Sequence, residues 1–312
     1  MLRRLAADAL FVRGTELLQA GNAQGALWHL ALAARVASDN AVYFGAAALA
    51  AYKAGDIDGG VRHAERALEL DADLHSARDL LAAMFLGGED SHEVLRRIHE
   101  HLRPRTYLEI GVEIGRSLAL VLPQTRAIGI DPKPMVSYAL PPNVTLCRET
   151  SDEYFERHDV RAELGGQPID LAFIDGMHHF EYALRDFINI ERACTPESTI
   201  VFDDCFPRDR RTAERERRLT FWSGDIWKVV LILKQYRPEL SLHTVATPPC
   251  GLCIVRGLNP QSRVLQENYD AIRTRFMALD YAVLMKDRAR TLNLFPNDWE
   301  RIRPLLGSAR QL

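Results

Sequence analysis

The hydrophobic positions change their spacing along the chain. In residues 1–90, apolar side chains recur three and four positions apart, with glycines at the interruptions, which predicts amphipathic helices. From residue 103 onwards, short apolar runs alternate with helical patterns, which predicts a doubly wound α/β sheet. The chain is therefore expected to contain an all-α segment followed by an α/β domain.

The helical segment contains an internal repeat. Gly21 and Gly55 open similar phrases 34 residues apart, and Ala33 and Ala67 are separated by the same distance. A period of 34 with small residues where helices cross resembles tetratricopeptide repeats. We expect helical pairs over residues 6–37, with Gly14 at a close crossing, and over 41–70, then a third or capping unit over 75–86. So short an array needs a neighbour to bury its end helix, which favours packing or a homodimer over binding of a partner peptide.

Four segments follow from these patterns. Residues 1–90 form the helical repeats, and residues 91–102, with apolar side chains at helical spacing, form a connecting helix. Residues 103–258 form the α/β domain, and residues 259–312 form a C-terminal helical extension. We expect a seven-stranded sheet that ends in an antiparallel pair over residues 240–246 and 251–255.

The first predicted strand of the sheet runs into a glycine-rich turn. The spacing Glu109-x-Gly111-x-x-x-Gly115 differs from the Gly-x-Gly-x-x-Gly of dinucleotide sites, which argues against NAD and favours another adenosyl ligand. The turn lets backbone N–H groups approach a ligand, and a helix N-terminus favours an anionic group. The next strand ends in Asp131, placed to accept hydrogen bonds from ribose hydroxyls. A turn before Pro132 would also explain this aspartate.

Three aspartates follow two further apolar runs. Asp175 ends one run, and Asp203 and Asp204 end the next. Carboxylates at the ends of neighbouring strands make an oxygen site that suits Mg²⁺. His178 lies just beyond Asp175, and the ordinary histidine pKa near 6.5 suits a general base. Other interpretations remain open, because paired aspartates also end strands or cap helices, and His178 could be a ligand or a hydrogen-bonding partner.

These motifs resemble those of a known family. Residues 173–180 read FIDGMHHF and residues 201–204 read VFDD, the pattern Ile-Asp-Gly-x-His followed by a strand ending in Asp-Asp. From about residue 102 to residue 258 the chain resembles class I S-adenosylmethionine-dependent methyltransferases, specifically the metal-dependent bacterial small-molecule O-methyltransferases. The resemblance implies Mg²⁺-dependent methylation of a hydroxyl on a small molecule, such as a sugar unit or a polyketide-like or phenolic metabolite.

The resemblance also implies roles for individual residues. The residues expected at the cofactor are Glu109, Gly111 and Gly115 around its methionine part, Asp131 at its ribose, Thr150 and Ser151 near its adenine, and also Ser117 and Asp175. The expected metal ligands are Asp175, Asp203 and Asp204, and His178 is the expected catalytic base. Phe180 departs from the pattern, because tyrosine is more usual there, but no ligand is lost.

Two segments beyond the aspartate pair carry less specific signals. Residues 208–218 contain six arginines and three acids, and a mixed charge run of this kind predicts a solvated helix face. The alternative is a lid that meets an acidic or phosphate-bearing substrate. Trp222 and Trp227 follow, and they are expected either to wall the acceptor pocket or to pack in the core.

Composition narrows the class of protein. The formal charge is 39 − 42 = −3, too balanced for general nucleic-acid binding. No apolar run approaches the roughly 20 residues that cross a bilayer. Five scattered cysteines, including a lone Cys250-x-x-Cys253 without a second pair, indicate reduced thiols and a cytoplasmic enzyme. The alternative from another class is a partner-binding scaffold with an inactive methyltransferase fold, which the intact site residues disfavour.

Overall fold

The computed structural model describes residues 2–218 and 222–307. The chain divides into two compact units, Met1–Gly87 and Gly88–Leu312. None of the helices in these described ranges is both long enough and apolar enough to span a membrane.

The first unit is built from helical hairpins. Its described helices are α1 (Leu2–Gln19), α2 (Ala23–Val36), α3 (Ala41–Lys53), α4 (Ile57–Leu70) and α5 (His75–Phe85). Gly14 lies at a close crossing, since a Cβ there would stand 2.5 Å from Cγ of Leu30. The two repeated phrases adopt the same conformation. Gly21 and Gly55 have φ of 79° and 81°, and Asn22 and Asp56 then cap α2 and α4. Kinship with tetratricopeptide repeats stays a prediction.

The second unit is organised around one mixed sheet. Its described strands are β1 (Thr106–Ile110), β2 (Arg126–Ile130), β3 (Val144–Cys147), β4 (Ile169–Ile174), β5 (Cys194–Phe202), β6 (Ser241–Val245), β7 (Leu252–Arg256) and β8 (Leu294–Phe295). Their order is β3-β2-β1-β4-β5-β7-β6-β8. Strands β1 to β5 pair in parallel, and β7 is antiparallel to both β5 and β6, which confirms the expected antiparallel pair.

The sheet has one described strand more than the seven predicted. β8 comes from the C-terminal segment that was expected to be helical, and it pairs in parallel with β6, Thr244 with Leu294 and Val245 with Phe295. A two-residue strand leaves almost no trace in a hydrophobic pattern, which is why the sequence did not indicate it. It covers an otherwise open sheet edge.

Helices surround the sheet. They are α6 (Ser91–Leu102), α7 (Ser151–Arg157), α8 (Val160–Glu163), α9 (Phe180–Ala193), α10 (Trp227–Tyr236), α11 (Val264–Glu267), α12 (Tyr269–Met277), α13 (Ala282–Lys286), α14 (Arg288–Leu292) and α15 (Trp299–Ile302), with short 3₁₀ turns at Leu118–Leu120 and Arg303–Leu306.

The core lies on both faces of the sheet. Leu95 and Ile98 of α6 are buried in one cluster with Tyr107 and Phe173 of the strands. Side chains alternate between the faces of a strand, so Phe202 and its neighbours meet the helices of the other face, where Phe187 of α9 stacks on Phe202 at 5.9 Å. Residues on α6 therefore belong to the core of the second unit.

Candidate active site

Four residues of the site follow paired ends of parallel strands. Ile110 of β1 is in register with Ile130 of β2 and with Ile174 of β4, and Ile174 is in register with Phe202 of β5. The residues that come next are Gly111, Asp131, Asp175 and Asp203. Because parallel strands end at one edge of a sheet, these four positions meet at the crevice where open α/β sheets bind their ligands.

The glycine turn lies tightly against the end of β4. Gly111 has φ of 87°, a conformation that glycine adopts without strain. A Cβ at Gly111 would lie 1.9 Å from the carbonyl oxygen of Asp175, closer than any side chain tolerates. Gly111 therefore allows the turn and the Asp175 loop to touch, and together they form one wall of the cavity.

Asp131 holds the glycine turn in place. The backbone N–H groups of Val112 and Glu113 each donate to its Oδ2 at 2.9 Å, and the N–H of Lys133 donates to its Oδ1 at 2.7 Å. A carboxylate offers about four lone-pair sites, so Oδ1 keeps acceptor capacity beyond these three bonds. Asp131 lines the cavity, and its predicted bond to ribose hydroxyls stays a prediction.

Glu109 and Ser117 lie behind the turn and do not line the cavity. Glu109 is fully buried, and its carboxyl accepts hydrogen bonds from the Tyr107 hydroxyl at 2.6 Å and from the Ser117 hydroxyl at 2.7 Å. Burial raises the pKa of Glu109 to about 8, although both hydroxyls oppose the shift. Gly115 packs on Val136. Three of the predicted cofactor residues therefore support the glycine turn and do not line the cavity themselves: Glu109, Gly115 and Ser117.

A carboxylate and imidazole cluster lines the same cavity. Asp175, His178 and Asp204 offer ligand atoms that all lie within 4.8 Å of one another. Asp204 reaches this cluster with φ of 59°, a left-handed conformation that is uncommon for aspartate. Asp203 lines the same cavity but is not part of the cluster, and its Oδ1 accepts the N–H of Asp204 at 2.9 Å. Burial raises the pKa of Asp203 well above its ordinary value.

His178 bridges the two carboxylates. Its Nε2 is 3.4 Å from Oδ1 of Asp175, and its Nδ1 is 3.0 Å from Oδ2 of Asp204 and 2.9 Å from the carbonyl oxygen of Trp222. Burial lowers the pKa of His178, but the charges of Asp204 and Asp175 outweigh it and raise the pKa to about 10. The imidazole is thus held as a cation in this arrangement, and it is neutral and able to accept a proton only where the carboxylate charge is balanced in another way.

The arginine-rich segment is not the solvated helix predicted from its charges. Residues 208–218 form turns, because their side chains and carbonyls bond to distant parts of the unit. Arg215 donates to Oε2 of Glu181 at 2.9 Å and to Oδ2 of the buried Asp225 at 2.8 Å. Its carbonyl oxygen is 2.9 Å from Nε2 of His179, which gives that histidine a structural contact.

These contacts bring Trp222 to the site. The indole of Trp222 stacks on His178 with ring centroids 5.0 Å apart, and Trp222 and Arg217 both line the cavity. Trp227 is buried and packs edge-on to Tyr281. The structure therefore separates the two tryptophans, one at the cavity and one in the core.

The remaining predicted residues lie at the start of α7. Thr150 caps α7 by accepting the N–H of Glu153 at 3.2 Å, and Ser151 shares a hydrogen bond with Asp186. Both Thr150 and Ser151 line the cavity. The cavity that they line has a volume of about 690 Å³, which lies within the range of small-molecule pockets.

Several lining residues were assigned no individual role from the sequence. They are Glu113, Lys133, Asp152, Met177, Tyr182, Asp186 and Arg217. Asp186 carried a usable signal, because it is a charged residue on the buried face of α9, among Ala183, Phe187 and Ile190. The others occupy loops and helix starts, where residue type alone does not separate a cavity wall from a solvated surface.

Comparison with known proteins addresses the enzyme class. Residues 108–205 match the model of a family described as a methyltransferase domain. This segment spans the glycine turn, Asp131 and the aspartates after β4 and β5. The match confirms the prediction that the protein is an S-adenosylmethionine-dependent methyltransferase. No curated protein sequence matches significantly.

Solved structures with a similar fold include three that are described as O-methyltransferases. A putative O-methyltransferase from Klebsiella pneumoniae is 16% identical, covers 58% of this chain and 87% of its own, and has a TM-score of 0.42. The O-methyltransferase TomG from Streptomyces achromogenes is 14% identical, covers 65% of this chain and 90% of its own, and has a TM-score of 0.43. The O-methyltransferase from Bacillus cereus is 16% identical, covers 60% of this chain and 91% of its own, and has a TM-score of 0.39.

Proposed function

We propose that this methyltransferase acts on oxygen: it transfers the methyl group of S-adenosylmethionine to a hydroxyl of a small molecule, with a divalent cation, Mg²⁺, at the aspartate cluster. The observation that carries the proposal is one cavity that joins the Gly111 turn and Asp131 to Asp175, His178 and Asp204. An adenosyl cofactor and a hydroxyl acceptor could therefore lie side by side, which is the main requirement of a direct methyl transfer.

The donor atoms of the cluster suit a hard cation. Asp175 and Asp204 present carboxylate oxygens on one side of the cavity, and Asp203 supplies a third carboxyl in the same wall. Oxygen ligands and open positions for two neighbouring substrate oxygens are what Mg²⁺ prefers. When bound, the cation would lower the pKa of an acceptor hydroxyl and orient it.

The protein's own residues would do the remaining work. Backbone N–H groups of the Gly111 turn and the carboxylate of Asp131 would position the cofactor at the crevice. His178, in the same cavity as the acceptor, is the proposed base for the hydroxyl proton. The indole of Trp222 covers one face of His178 and would exclude water from it. A small-molecule acceptor and a cytoplasmic location complete the proposal.

The first test is calorimetric titration of S-adenosylmethionine into the full-length protein, followed by transfer of a labelled methyl group to a panel of phenols, catechols and sugar hydroxyls. We expect micromolar binding of the cofactor with and without Mg²⁺, and methyl transfer that a chelator abolishes and Mg²⁺ restores. Transfer that is unaffected by the chelator would refute the metal. Failure of the protein to bind the cofactor would refute the function itself.

Substitutions at the cluster separate its roles. Asp204→Ala should abolish metal-dependent transfer and leave cofactor affinity within about threefold, because the proposed cofactor contacts lie at the Gly111 turn and Asp131. His178→Ala should reduce turnover by about 10² to 10⁴ fold without loss of cofactor binding. An unchanged rate in His178→Ala would remove it from the role of base. A partner-binding scaffold with an inactive fold is not favoured, since it gives no reason for the joined cavity.

A further inference from the structure

The loop that carries His178 is held by the segment of residues 222–225. The carbonyl oxygen of Trp222 is 2.9 Å from Nδ1 of the His178 ring. The backbone N–H of Asp225 donates to the carbonyl oxygen of His178 at 3.2 Å. Gly224 allows this close approach, because a Cβ there would lie 1.8 Å from the same carbonyl oxygen. The segment therefore contacts both the ring and the backbone of the proposed base.

Asp225 contacts this loop a second time, through its side chain. Its Oδ1 accepts the backbone N–H of Phe180, the first residue of α9, at 2.9 Å. The N-cap residue of α9, His179, makes no side-chain cap bond, so the carboxylate of Asp225 caps this helix start instead. Asp225 thus bonds to the backbone on both sides of His179, which fixes the path of the loop and the direction in which His178 leaves it.

The other oxygen of the Asp225 carboxylate binds two cations. Its Oδ2 accepts from Arg215 at 2.8 Å and from Nζ of Lys228 at 3.1 Å. Asp225 is 1% exposed and Lys228 is 4% exposed, and a buried carboxylate requires paired charges of this kind. Because Arg215 belongs to the arginine-rich segment, one carboxylate joins that segment to the loop of His178.

This arrangement requires a carboxylate in particular. Oδ1 accepts from the loop and Oδ2 accepts from the cations. A carboxamide of the same size has one acceptor oxygen and an NH₂ group that only donates. An asparagine at position 225 would therefore lose either the bond to Phe180 or the bonds to the cations, and its NH₂ group would face another donor.

We infer that Asp225 is a positioning residue for His178, which holds the loop of the proposed base through two hydrogen bonds and couples it to the arginine-rich segment. The inference rests on the proposed function, which makes His178 the base. Asp225 is not among the described residues that line the cavity. It therefore affects methyl transfer through the placement of His178, and a misplacement of about 1 Å at a reacting group can cost about 100-fold in rate.

The test is a double-mutant cycle in the full-length protein, with an acceptor from the panel that the wild-type protein methylates. Asp225→Asn should lower kcat by about 10- to 100-fold and leave the acceptor KM and the Kd of S-adenosylmethionine within about threefold. Added to His178→Ala, the same change should alter kcat by less than about twofold, because the group that Asp225 positions is gone. A purely structural role would lower turnover in both backgrounds.

Glu191→Gln is the matched control. Glu191 is also a buried carboxylate that uses both oxygens, since it accepts from Arg237 at 2.7 and 2.9 Å and from the backbone N–H of Asn259 at 2.9 Å. It lies near the other end of α9. Glu191→Gln should lower the Tm as Asp225→Asn does, but keep the wild-type kcat at a temperature where both variants are folded.

Amide hydrogen exchange tests the contact without an acceptor. The Phe180 N–H should exchange at least about tenfold faster in Asp225→Asn than in the wild-type protein, and at the wild-type rate in Glu191→Gln. If Asp225→Asn does not fold, the charge-balanced variant Asp225→Asn/Lys228→Met takes its place, because it also removes one buried cation. It should show the same loss of kcat and the same faster exchange.

The outcomes separate the inference from the function on which it rests. A wild-type kcat or unchanged Phe180 exchange in the Asp225 variant, or a further loss when it is added to His178→Ala, would overturn the role of Asp225 and leave the methyltransferase proposal intact. An equal fall of kcat in Glu191→Gln would assign the effect to general destabilisation and would also overturn it. If the wild-type protein methylates no acceptor, the proposed function fails and the inference fails with it.

Discussion

Gly111 meets two separate demands at the centre of the site. Its φ is positive, and it has no room for a Cβ against the carbonyl oxygen of Asp175. Gly166 meets only the first demand, because its φ is 77° and no atom lies within 4 Å of a Cβ built there. The pair therefore offers a way to separate the cost of backbone conformation from the cost of a lost close contact.

Gly111→Ala should lower cofactor affinity by at least tenfold, because the turn and the Asp175 loop must move apart by more than 1 Å to admit the methyl group. Gly166→Ala should cost about 1 kcal/mol of stability from its conformation alone and leave cofactor affinity unchanged. Calorimetric titration and thermal unfolding of both variants test this. Equal affinity in Gly111→Ala and the wild-type protein would show that the close contact is not needed for binding.

Glu109 gives the second unit a pH-dependent stability. The folded-state pKa of about 8 lies above the ordinary value of 4.5, so between these values the folded state binds more protons than the unfolded state. Stability from this group is therefore present at low pH and is lost as pH rises towards 8. Glu109→Gln removes the titrating group while keeping an acceptor for the hydroxyls of Tyr107 and Ser117.

We expect the free energy of unfolding of the wild-type protein to fall relative to that of Glu109→Gln between pH 5 and pH 8, with a slope that approaches about 1.4 kcal/mol per pH unit. Denaturant unfolding of both proteins at several pH values measures the difference. Asp186 and Asp203 also titrate with raised pKa values, but they are common to both proteins and cancel. Parallel pH profiles would show that Glu109 does not retain its proton in the folded protein.

At the scale of single elements, the strands at the site could be predicted and the segment that closes it could not. The runs that end in Gly111, Asp131 and Asp175 are continuous apolar stretches bounded by turn residues, a local signal that fixes both the strand and the edge where its next side chain lies. Residues 208–218 carry no such signal. Their turns depend on ion pairs between Arg215 and residues that are distant in sequence.

The two neighbouring aspartates after β5 also have a feature that the sequence could not predict. The sequence places Asp203 and Asp204 at the end of β5, but only the structure shows which of them joins Asp175 and His178 in the cluster. Asp203 is the next residue in register and bonds to the backbone N–H of Asp204, whereas the positive φ of Asp204 turns its carboxylate towards His178. A positive φ at a non-glycine residue cannot be read from a hydrophobic pattern.

Arg215 should hold the segment that carries Trp222 and Arg217 against the rest of the second unit. Arg215→Ala removes the bonds to Glu181 and Asp225, and contacts of this partly exposed kind contribute about 1–3 kcal/mol. The segment should then open about 5- to 150-fold more often, and trypsin should cleave it correspondingly faster, because proteolysis follows the population of the open state.

Arg210→Ala is the matched control for Arg215→Ala. Arg210 belongs to the same segment and pairs with Asp280 on the surface, so each variant loses one arginine cleavage site, but Arg210→Ala loses only an exposed ion pair. Exposed pairs contribute little, and we expect the cleavage rate of Arg210→Ala to stay within about twofold of the wild-type rate. Equal acceleration in the two variants would mean that Arg215 has no special role in holding the segment.

At the scale of the whole molecule, the two units differ in how they are stabilised. In the helical unit, the side chains buried between neighbouring helices are mostly alanines, such as Ala33, Ala47 and Ala64. These contacts join elements that are close in sequence. The second unit closes one sheet over a core contributed by residues far apart in sequence, from Leu95 to Leu306. A predicted boundary near residue 103 would cut this core, whereas a boundary at Gly88 would not.

Two fragments test where the second unit begins. Residues 88–312 keep α6, whose Val94, Leu95 and Ile98 are almost fully buried against Tyr107 and its neighbours. Residues 103–312 lack α6 and would expose that face of the sheet. Burying three such side chains contributes about 5–9 kcal/mol, comparable with the whole stability of a typical domain. The longer fragment should therefore unfold cooperatively and bind S-adenosylhomocysteine with the affinity of the full-length protein, while the shorter one should aggregate or melt without a transition. Cooperative unfolding of both fragments would show that α6 only connects the units.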